Sequence, residues 1–319
     1  MPRSSDTPRG SDDPTERLDD LEAAAWVLAA VIATHLEAGS TSLSEAIASD
    51  ASRTAVLAAA GLVQRDGDDL VTHPLLETSA TSASVAAAML SSLRLAVAAA
   101  GSETTQGWAE QPDEVLLRQG RASAATGRAI AKRIVPDLTG LLERLSRPGG
   151  RVLDVGTGVG ALAIALVQEL PHVRVTAIDI LDRAIRLARV ELDGAGVDRD
   201  SIELRQQDAA DLTEVDCYDM VWLPAPFLTV ESLEATIPRC VQALAADGWI
   251  VVGTNPPPTT SLSSAVAQWK AHRSGGSGAD ADLIASILED LGMGDVSRHR
   301  TFPGGPVLVA GRRTSGNNR

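Results

Sequence analysis

The stretch that decides the fold is VLDVGTGVGA, residues 152–161. An apolar run containing Asp154 leads directly into Gly156, Gly158 and Gly160, and a second apolar run follows. Glycine tolerates positive φ and lets a ligand approach the main chain closely. Because turns of this kind lie at the carboxyl edge of parallel sheets, where open α/β folds bind ligands, we predict a strand, a binding turn and a helix.

Downstream of this turn, strand-like and helix-like patterns alternate to about residue 311. We predict strands at 151–155, 173–179, 202–205, 218–223, 249–253, 296–300 and 307–311, and helices at 161–170, 181–192, 231–244 and 280–291. This alternation predicts an α/β fold with a Rossmann-like, doubly wound, mostly parallel sheet. The last two strands form a closing pair that includes an antiparallel strand.

The first half of the chain is predicted to be mainly helical. Helices are expected at 21–37, 42–48, 53–60, 84–99 and 113–145, the last kinked at Pro136, with a hairpin around Asp66-Gly67. Three helices and a hairpin indicate a winged-helix-like arrangement. The predicted organisation is a disordered tail (1–18), a helical domain (19–110), an α/β domain with its lead-in helix (111–313) and a second disordered tail (314–319).

Charge and cysteine content narrow the function classes. The 319 residues carry a net charge of −14, and residues 1–110 hold six Arg, no Lys and 16 acids. This balance argues against a nucleic-acid or anionic-membrane partner. We see no apolar run of about 18 residues, the length that a membrane span requires. Two cysteines, Cys217 and Cys240, make no disulfide framework, so a cytoplasmic location is expected.

Two acids follow the predicted strands where a nucleoside would lie. Asp179 ends the second strand, where its carboxylate can accept both ribose hydroxyls. Asp208 follows the third strand, within reach of an adenine amino group. Residues 156–161 also satisfy the dinucleotide pattern G-x-G-x-x-G/A, so the ribose position alone fits a nicotinamide or an adenosyl ligand.

Taken together, these residues resemble the class I S-adenosylmethionine-dependent methyltransferases over about residues 113–312. The resemblance implies S-adenosylmethionine as cofactor, S-adenosylhomocysteine as product, and a cofactor site made of Asp154, Gly156, Thr157, Gly158, Gly160, Asp179, Ile180, Asp208, Ala209 and Leu223. The front half resembles the winged-helix dimerisation domain of small-molecule O-methyltransferases. That likeness implies a homodimer, a small-molecule acceptor, and a lead-in helix whose Gln119, Gly120 and Ser123 line the site.

The sequence defines the part of the site that would bind the methyl acceptor less clearly than the cofactor site. Trp222 and Phe227 flank the exit of the fourth strand, as pocket wall or as core. Residues 254–280 form a long Pro-, Ser- and Gly-containing connection that holds Trp269, expected to line the acceptor pocket, and His272. We interpret this connection as a lid, with a disordered surface loop as the alternative.

The sequence departs from its relatives where a base or a metal would act. Residues 223–229, LPAPFLT, contain no His where plant-type O-methyltransferases carry a catalytic one. Acids are missing after strands four and five, so no catalytic metal is expected. The motif Asn255-Pro256-Pro257 resembles that of amino-group methyltransferases but follows strand five, and we treat it as a decoy. His272 is the remaining candidate base, with a solvated surface residue as the alternative.

Three other functions stay open. An NAD(P)-dependent oxidoreductase fits the glycine turn, but Asp208 and the long helical domain before the turn argue against it. A winged-helix regulator with a ligand-binding α/β domain conflicts with the acidic front half. A methyltransferase-like fold without catalysis conflicts with the intact cofactor acids.

Overall fold

The computed structural model describes residues 13–66, 69–76, 82–101, 108–255, 260–274, 276–301 and 306–314. The chain divides into two compact units, residues 1–94 and 95–319. This division falls inside the helix Ser82–Ala100, earlier in the chain than the predicted boundary between residues 110 and 111.

The first unit contains the predicted helices and hairpin. Its elements are α1 (Pro14–Ala38), α2 (Leu43–Ala48), α3 (Ala51–Ala59), the antiparallel pair β1 (Val63–Asp66) and β2 (Asp69–Thr72), and the start of α4 (Ser82–Ala100). Ser42 and Glu45 form a capping box that begins α2. The core of this unit is built from Ala30, Val31, Ile47, Leu57, Val63 and Leu76.

The predicted disordered tail over residues 1–18 is wrong for its last part, because α1 begins at Pro14. The Asp13 carboxylate accepts a hydrogen bond from the Thr15 backbone N–H at 2.8 Å. Proline at the first helical position gives up an N–H that would have no helical partner. Residues 1–12 lie outside the described residues. By length and apolar content α1 could cross a membrane, which is weak evidence for a span.

The lead-in segment is not the single kinked helix predicted over 113–145. It consists of α5 (Asp113–Ala129), a π-helical turn (Ile130–Ile134), a short turn α6 (Val135–Asp137) and α7 (Leu141–Ser146). Pro136 has no backbone N–H to continue the ladder. Leu138 is extended, and Gly140, at φ 75°, begins α7. The chain therefore breaks after the proline.

The second unit contains the predicted sheet, which is confirmed. Its strands are β3 (Gly150–Val155), β4 (Val173–Asp179), β5 (Ile202–Gln206), β6 (Tyr218–Pro224), β7 (Leu244–Thr254), β8 (Gly294–Arg300) and β9 (Val307–Arg312). Their order is β5-β4-β3-β6-β7-β9-β8. The five strands β5, β4, β3, β6 and β7 pair in parallel, and β9 pairs antiparallel with both β7 and β8.

Helices cover both faces of this sheet, as the doubly wound prediction requires. They include α8 (Ala161–Glu169), α9 (Asp182–Gly194), α10 (Val230–Ala243) and α12 (Ala281–Asp290), and a further helix, α11 (Ser261–Ser274), follows β7 in the chain. Neighbouring residues of β3 enter opposite cores: Val152 packs with Leu166 of α8, and Leu153 packs with Ile237 of α10.

The helix α11 lies within the connection 254–280 that was expected to be a loop or lid. Thr260 and Ser263 form reciprocal bonds at its start: the Thr260 hydroxyl accepts from the Ser263 N–H at 3.0 Å, and the Ser263 hydroxyl accepts from the Thr260 N–H at 2.9 Å. These bonds satisfy backbone donors that a helix start leaves free.

Candidate functional site

The glycine turn lies at the point where the strand order of the sheet reverses. β3 has β4 on one side and β6 on the other, which creates a crevice at their carboxyl ends. Gly156, Gly158 and Gly160 have φ values of 63°, 58° and 78°, in the left-handed region that glycine favours. The predicted strand–turn–helix is therefore confirmed, with each glycine in a conformation that explains its presence.

Two of these glycines face different surroundings. A Cβ added to Gly156 would lie 3.4 Å from Cγ of Pro224, so the turn abuts the exit of β6. A Cβ added to Gly158 would meet no heavy atom within 4 Å. The backbone at Gly158 thus borders open space, which is what a ligand lying against the turn requires.

Asp179 connects the turn to the end of β4. One carboxylate oxygen accepts the N–H of Gly158 at 2.9 Å, and the other accepts the N–H of Leu181 at 2.9 Å. Burial raises the pKa of Asp179, while the two backbone N–H bonds act to lower this pKa. Because each carboxylate oxygen has two lone pairs, both oxygens can still accept a ligand hydroxyl. The next side chain, Ile180, is 60% exposed and offers an apolar surface beside that carboxylate.

Asp154 lies beneath the turn and is only 1% exposed. Its Oδ2 accepts the Thr157 hydroxyl at 2.7 Å, and Thr157 itself is buried. Its Oδ1 is buried and has no hydrogen-bond partner within the part of the chain that the structure describes. Burial raises the pKa of Asp154 to about 7, with an added contribution from the charge of Asp179 and an opposing one from Thr157.

Asp208 follows β5 and is exposed. Its carboxylate caps the short 3-10 helix Ala209–Asp211 by accepting the Ala210 N–H at 2.9 Å. The three acids predicted from sequence thus lie at or just beyond the carboxyl ends of three adjacent strands: Asp154 on β3, Asp179 on β4 and Asp208 after β5. Ala209 and Leu223 are buried, Leu223 in the core on the α10 face.

The residues predicted for the acceptor side are not brought together in the same way. Trp222 is 6% exposed and packs in the core, where a Cβ added to Gly253 would lie 2.5 Å from its ring. Of its two interpretations, the structure supports core packing. Phe227 and Trp269 are each 55% exposed. Gln119 lies on α5 and His272 on α11, and both side chains lie outside the described residues.

Close packing of α5 on the turn was missed from the sequence. A Cβ at Gly120 would lie 2.3 Å from Cγ2 of Val159, and one at Gly127 would lie 2.9 Å from the Leu162 carbonyl oxygen. Gly120 therefore permits close packing beside the turn. The Ser123 hydroxyl donates to the Gly120 carbonyl at 2.6 Å. The spacing of seven between the two glycines is the signal that could have revealed this helix contact.

A second missed feature fastens the segment after α11 to the exit of β6. Ser277 is 1% exposed, and its hydroxyl donates to the Ala225 carbonyl at 2.9 Å. The two residues are 52 positions apart, and no local pattern points to their pairing. Where the structure describes the chain, no group of three His, Cys, Asp or Glu side chains is placed to hold a metal ion. Metal independence stays a prediction.

Residues 152–248 match a family model described as a methyltransferase domain. This segment is a methyltransferase domain. Curated relatives of this domain include the release factor glutamine methyltransferase of Rhodopirellula baltica, 33% identical over 34% of this chain and 37% of the relative. The malonyl-[acyl-carrier protein] O-methyltransferase of Acetivibrio thermocellus is 30% identical over 39% of this chain and 42% of the relative. The chain thus spans about two fifths of the length of these relatives.

The fold extends beyond the methyltransferase domain. Human N-acetylserotonin methyltransferase in complex with S-adenosylmethionine superposes with a TM-score of 0.57 over 97% of this chain and 100% of that protein. The sequence identity is 16%, so this likeness concerns the fold. The comparison covers the helical region as well as the sheet.

Proposed function

We propose that this protein is a metal-independent, S-adenosylmethionine-dependent methyltransferase acting on a small-molecule acceptor. The observation that carries the proposal is the methyltransferase domain in which Gly158 borders open space and Asp179 reaches across to the turn. The alternative of an NAD(P)-dependent oxidoreductase has no support from the comparisons.

The residues present fit this cofactor. Asp179 accepts the ribose hydroxyls, and Ile180 lies against the adenine ring. Asp208 at the end of the neighbouring strand receives the adenine amino group. The backbone of residues 156–160 would lie along the methionine part, with Thr157 and Ala209 beside it and Leu223 supporting the site from the core. Asp154 lies beneath the turn, where its carboxyl group accepts the Thr157 hydroxyl.

When bound, S-adenosylmethionine supplies an electrophilic sulfonium methyl group. The protein holds the acceptor atom in line with the methyl–sulfur bond, and orientation of this kind lowers a barrier by several kcal/mol. The acceptor–carbon bond forms as the carbon–sulfur bond breaks, which leaves S-adenosylhomocysteine. Any proton on the acceptor leaves to solvent or to a lid residue such as His272, and an acceptor that is already nucleophilic needs no base.

A small acceptor is favoured over a macromolecule by the fold comparison that covers nearly the whole chain. The names of the relatives point to different acceptors, namely a protein glutamine, an acyl-carrier-bound malonyl group and N-acetylserotonin. Among these, the N-acetylserotonin enzyme is the one whose fold covers the helical region of this chain as well. We therefore assign the acceptor to the class of discrete metabolites, as in secondary metabolism.

We further propose a cytoplasmic homodimer without a nucleic-acid or membrane partner. Leu18, Leu21 and Trp26 on α1 are each more than half exposed, which leaves apolar surface for a second copy to cover. Leu21→Asp should dissociate the dimer in light scattering, whereas Val190→Asp, at an exposed position on α9, should not. A monomeric wild-type protein at micromolar concentration would refute the dimer.

The methyltransferase proposal is tested by incubating the purified protein with S-adenosylmethionine and fractionated metabolite extracts. Mass spectrometry should detect S-adenosylhomocysteine together with a product that is one methyl group heavier. Asp179→Ala, which lacks the ribose acceptor, is the matched control. Oxidation of NAD(P)H in the same extracts, without S-adenosylhomocysteine, would favour the oxidoreductase instead.

A further inference from the structure

The Asp154 carboxyl group is buried under the glycine turn with too few partners for a stable negative charge. One oxygen accepts a single neutral hydroxyl, that of Thr157, and the other has no partner among the described residues. A buried carboxylate is normally paired with a cation or receives several hydrogen bonds. Neither condition is met around Asp154.

The charged groups on the surrounding elements do not compensate. On β4, the facing group is another carboxylate, Asp179, whose charge disfavours ionisation of Asp154. On β6, the register partner is Trp222. On α8, Glu169 lies at the far end of the helix and pairs with Lys132.

The nearest helices engage their cations elsewhere. On α5, the Arg121 guanidinium binds both carboxylate oxygens of Glu191, at 2.9 and 2.7 Å. On α9, Arg183 donates to the Gln111 carbonyl and pairs with Asp113 at 3.2 Å. In the parts of the chain described, no cation forms an ion pair with Asp154.

We propose that Asp154 is uncharged in the free protein and loses its proton when S-adenosylmethionine binds, so that cofactor binding and proton release are linked. This inference rests on the proposed function. The cofactor carries an ammonium, a carboxylate and a sulfonium group, and thus a net positive charge. A positive charge brought beside the turn stabilises the Asp154 carboxylate at short range in a medium of low dielectric constant.

The linkage distinguishes cofactor from product. S-adenosylhomocysteine keeps the ammonium and carboxylate groups but lacks the sulfonium charge. Its binding should therefore release fewer protons than binding of S-adenosylmethionine. Ionised Asp154 favours the cationic cofactor over the neutral product, so product departure is accompanied by proton uptake at Asp154.

The test is calorimetric titration of the full-length protein with S-adenosylmethionine at pH 6.5, in two buffers of different ionisation enthalpy. The difference in observed enthalpy gives the number of protons released. We expect release of about 0.5–1 proton per cofactor bound, the order expected for one group near its midpoint. Between pH 5.5 and 6.5, the affinity for the cofactor should rise by at most about tenfold. Asp154→Asn should bind with almost no proton release, and Asp211→Asn, an exposed acid nearby, should behave as wild type.

A second measurement keeps the proposal independent of cofactor affinity. The carboxyl ¹³C resonance of Asp154, assigned by its loss in Asp154→Asn, should titrate well above pH 5 in the free protein. A midpoint below about 5 would overturn the proposal, whether or not the cofactor binds, since ordinary Asp titrates near 4. Binding without proton release, or equal release by Asp154→Asn, would also overturn it. Absence of any cofactor binding, with a high midpoint, would count against the proposed function alone.

Discussion

The cofactor side and the acceptor side of the site are built differently. On the cofactor side, the Asp179 carboxylate links the end of β4 to the turn by accepting the Gly158 N–H, and it also accepts the Leu181 N–H. On the acceptor side, Phe227, Leu262 and Trp269 expose 55–65% of their surface, and the Ser277 hydroxyl bond fastens the following segment. On the proposed function, main-chain geometry would hold a ligand shared by many enzymes, whereas exposed side chains would meet the acceptor. The cofactor can therefore be inferred from sequence much further than the acceptor can.

The largest effect is expected from filling the open space beside Gly158 of the turn. Gly158→Val places a branched side chain at φ 58° and into the open space that the proposed cofactor would occupy. We expect S-adenosylmethionine affinity to fall by at least about 100-fold, which corresponds to roughly 2.7 kcal/mol. Gly196→Val is the matched control, because Gly196 has φ 67° and equally open surroundings away from the site. Equal affinity losses in both variants would show that backbone strain, not steric exclusion, is responsible.

Asp179→Ala tests the bond between the turn and β4. Loss of charged hydrogen bonds of about 1.5–3 kcal/mol predicts a 10- to 100-fold weaker S-adenosylmethionine complex in calorimetry. Asp198→Ala also removes a carboxylate that accepts a backbone N–H, but this residue precedes β5 at the opposite edge of the sheet. Unchanged affinity in Asp179→Ala would remove this residue from the site.

The pH dependence of the free energy of unfolding tests the protonation of Asp154 on the cofactor side. Burial raises the folded-state pKa of Asp154 to about 7, above its ordinary value of 3.8, so between these values the folded protein binds more protons than the unfolded chain. The free energy of unfolding should therefore fall as pH rises from about 4 to about 7. Asp154→Asn lacks this pH-dependent contribution to stability. The denaturant midpoint of the variant should therefore rise relative to that of the wild type as pH increases from about 4 to about 7. A difference between the two proteins that does not change with pH would contradict this explanation.

The smallest effect concerns the fastening of the acceptor side. Ser277→Ala leaves the Ala225 carbonyl without its donor, at a cost of about 1–3 kcal/mol. For a unit of this size each kcal/mol lowers the melting temperature by roughly 2–4 °C. Ser201→Ala removes a hydroxyl–carbonyl bond in an exposed position, where water replaces it, and should change the melting temperature less. Calorimetry that finds equal shifts would show that burial of the bond is unimportant.

The sequence predicts best where a residue is constrained by its immediate neighbours. The glycines of the turn and the Ser42 capping box depend on a few adjacent positions, and the structure places them as expected. The break after Pro136 was predicted only as a kink, because its form depends on how Ile130 and Ile134 pack in the core. The Ser277 bond depends on residues distant in the chain, which local patterns do not relate.

The aromatic residues near the end of β6 show a second limit of prediction from sequence. Trp222 and Phe227 are close in sequence and equally aromatic, yet one is in the core and the other is exposed. The face of a strand and the residues of the neighbouring strand decide between these environments, and Gly253 on β7 leaves room for the Trp222 ring. Composition near a strand exit therefore does not identify the residues of an acceptor pocket.

We propose that the glycine turn binds an adenosyl cofactor for methyl transfer. Calorimetric titration of the wild-type protein with S-adenosylmethionine, S-adenosylhomocysteine, NADH and NADPH, each alone and at one pH, tests this most directly. We expect saturable one-to-one binding of the two adenosyl ligands, weakened by Asp179→Ala, and no heat of binding from the nicotinamide nucleotides. Binding of NADH or NADPH with no response to S-adenosylmethionine would contradict it.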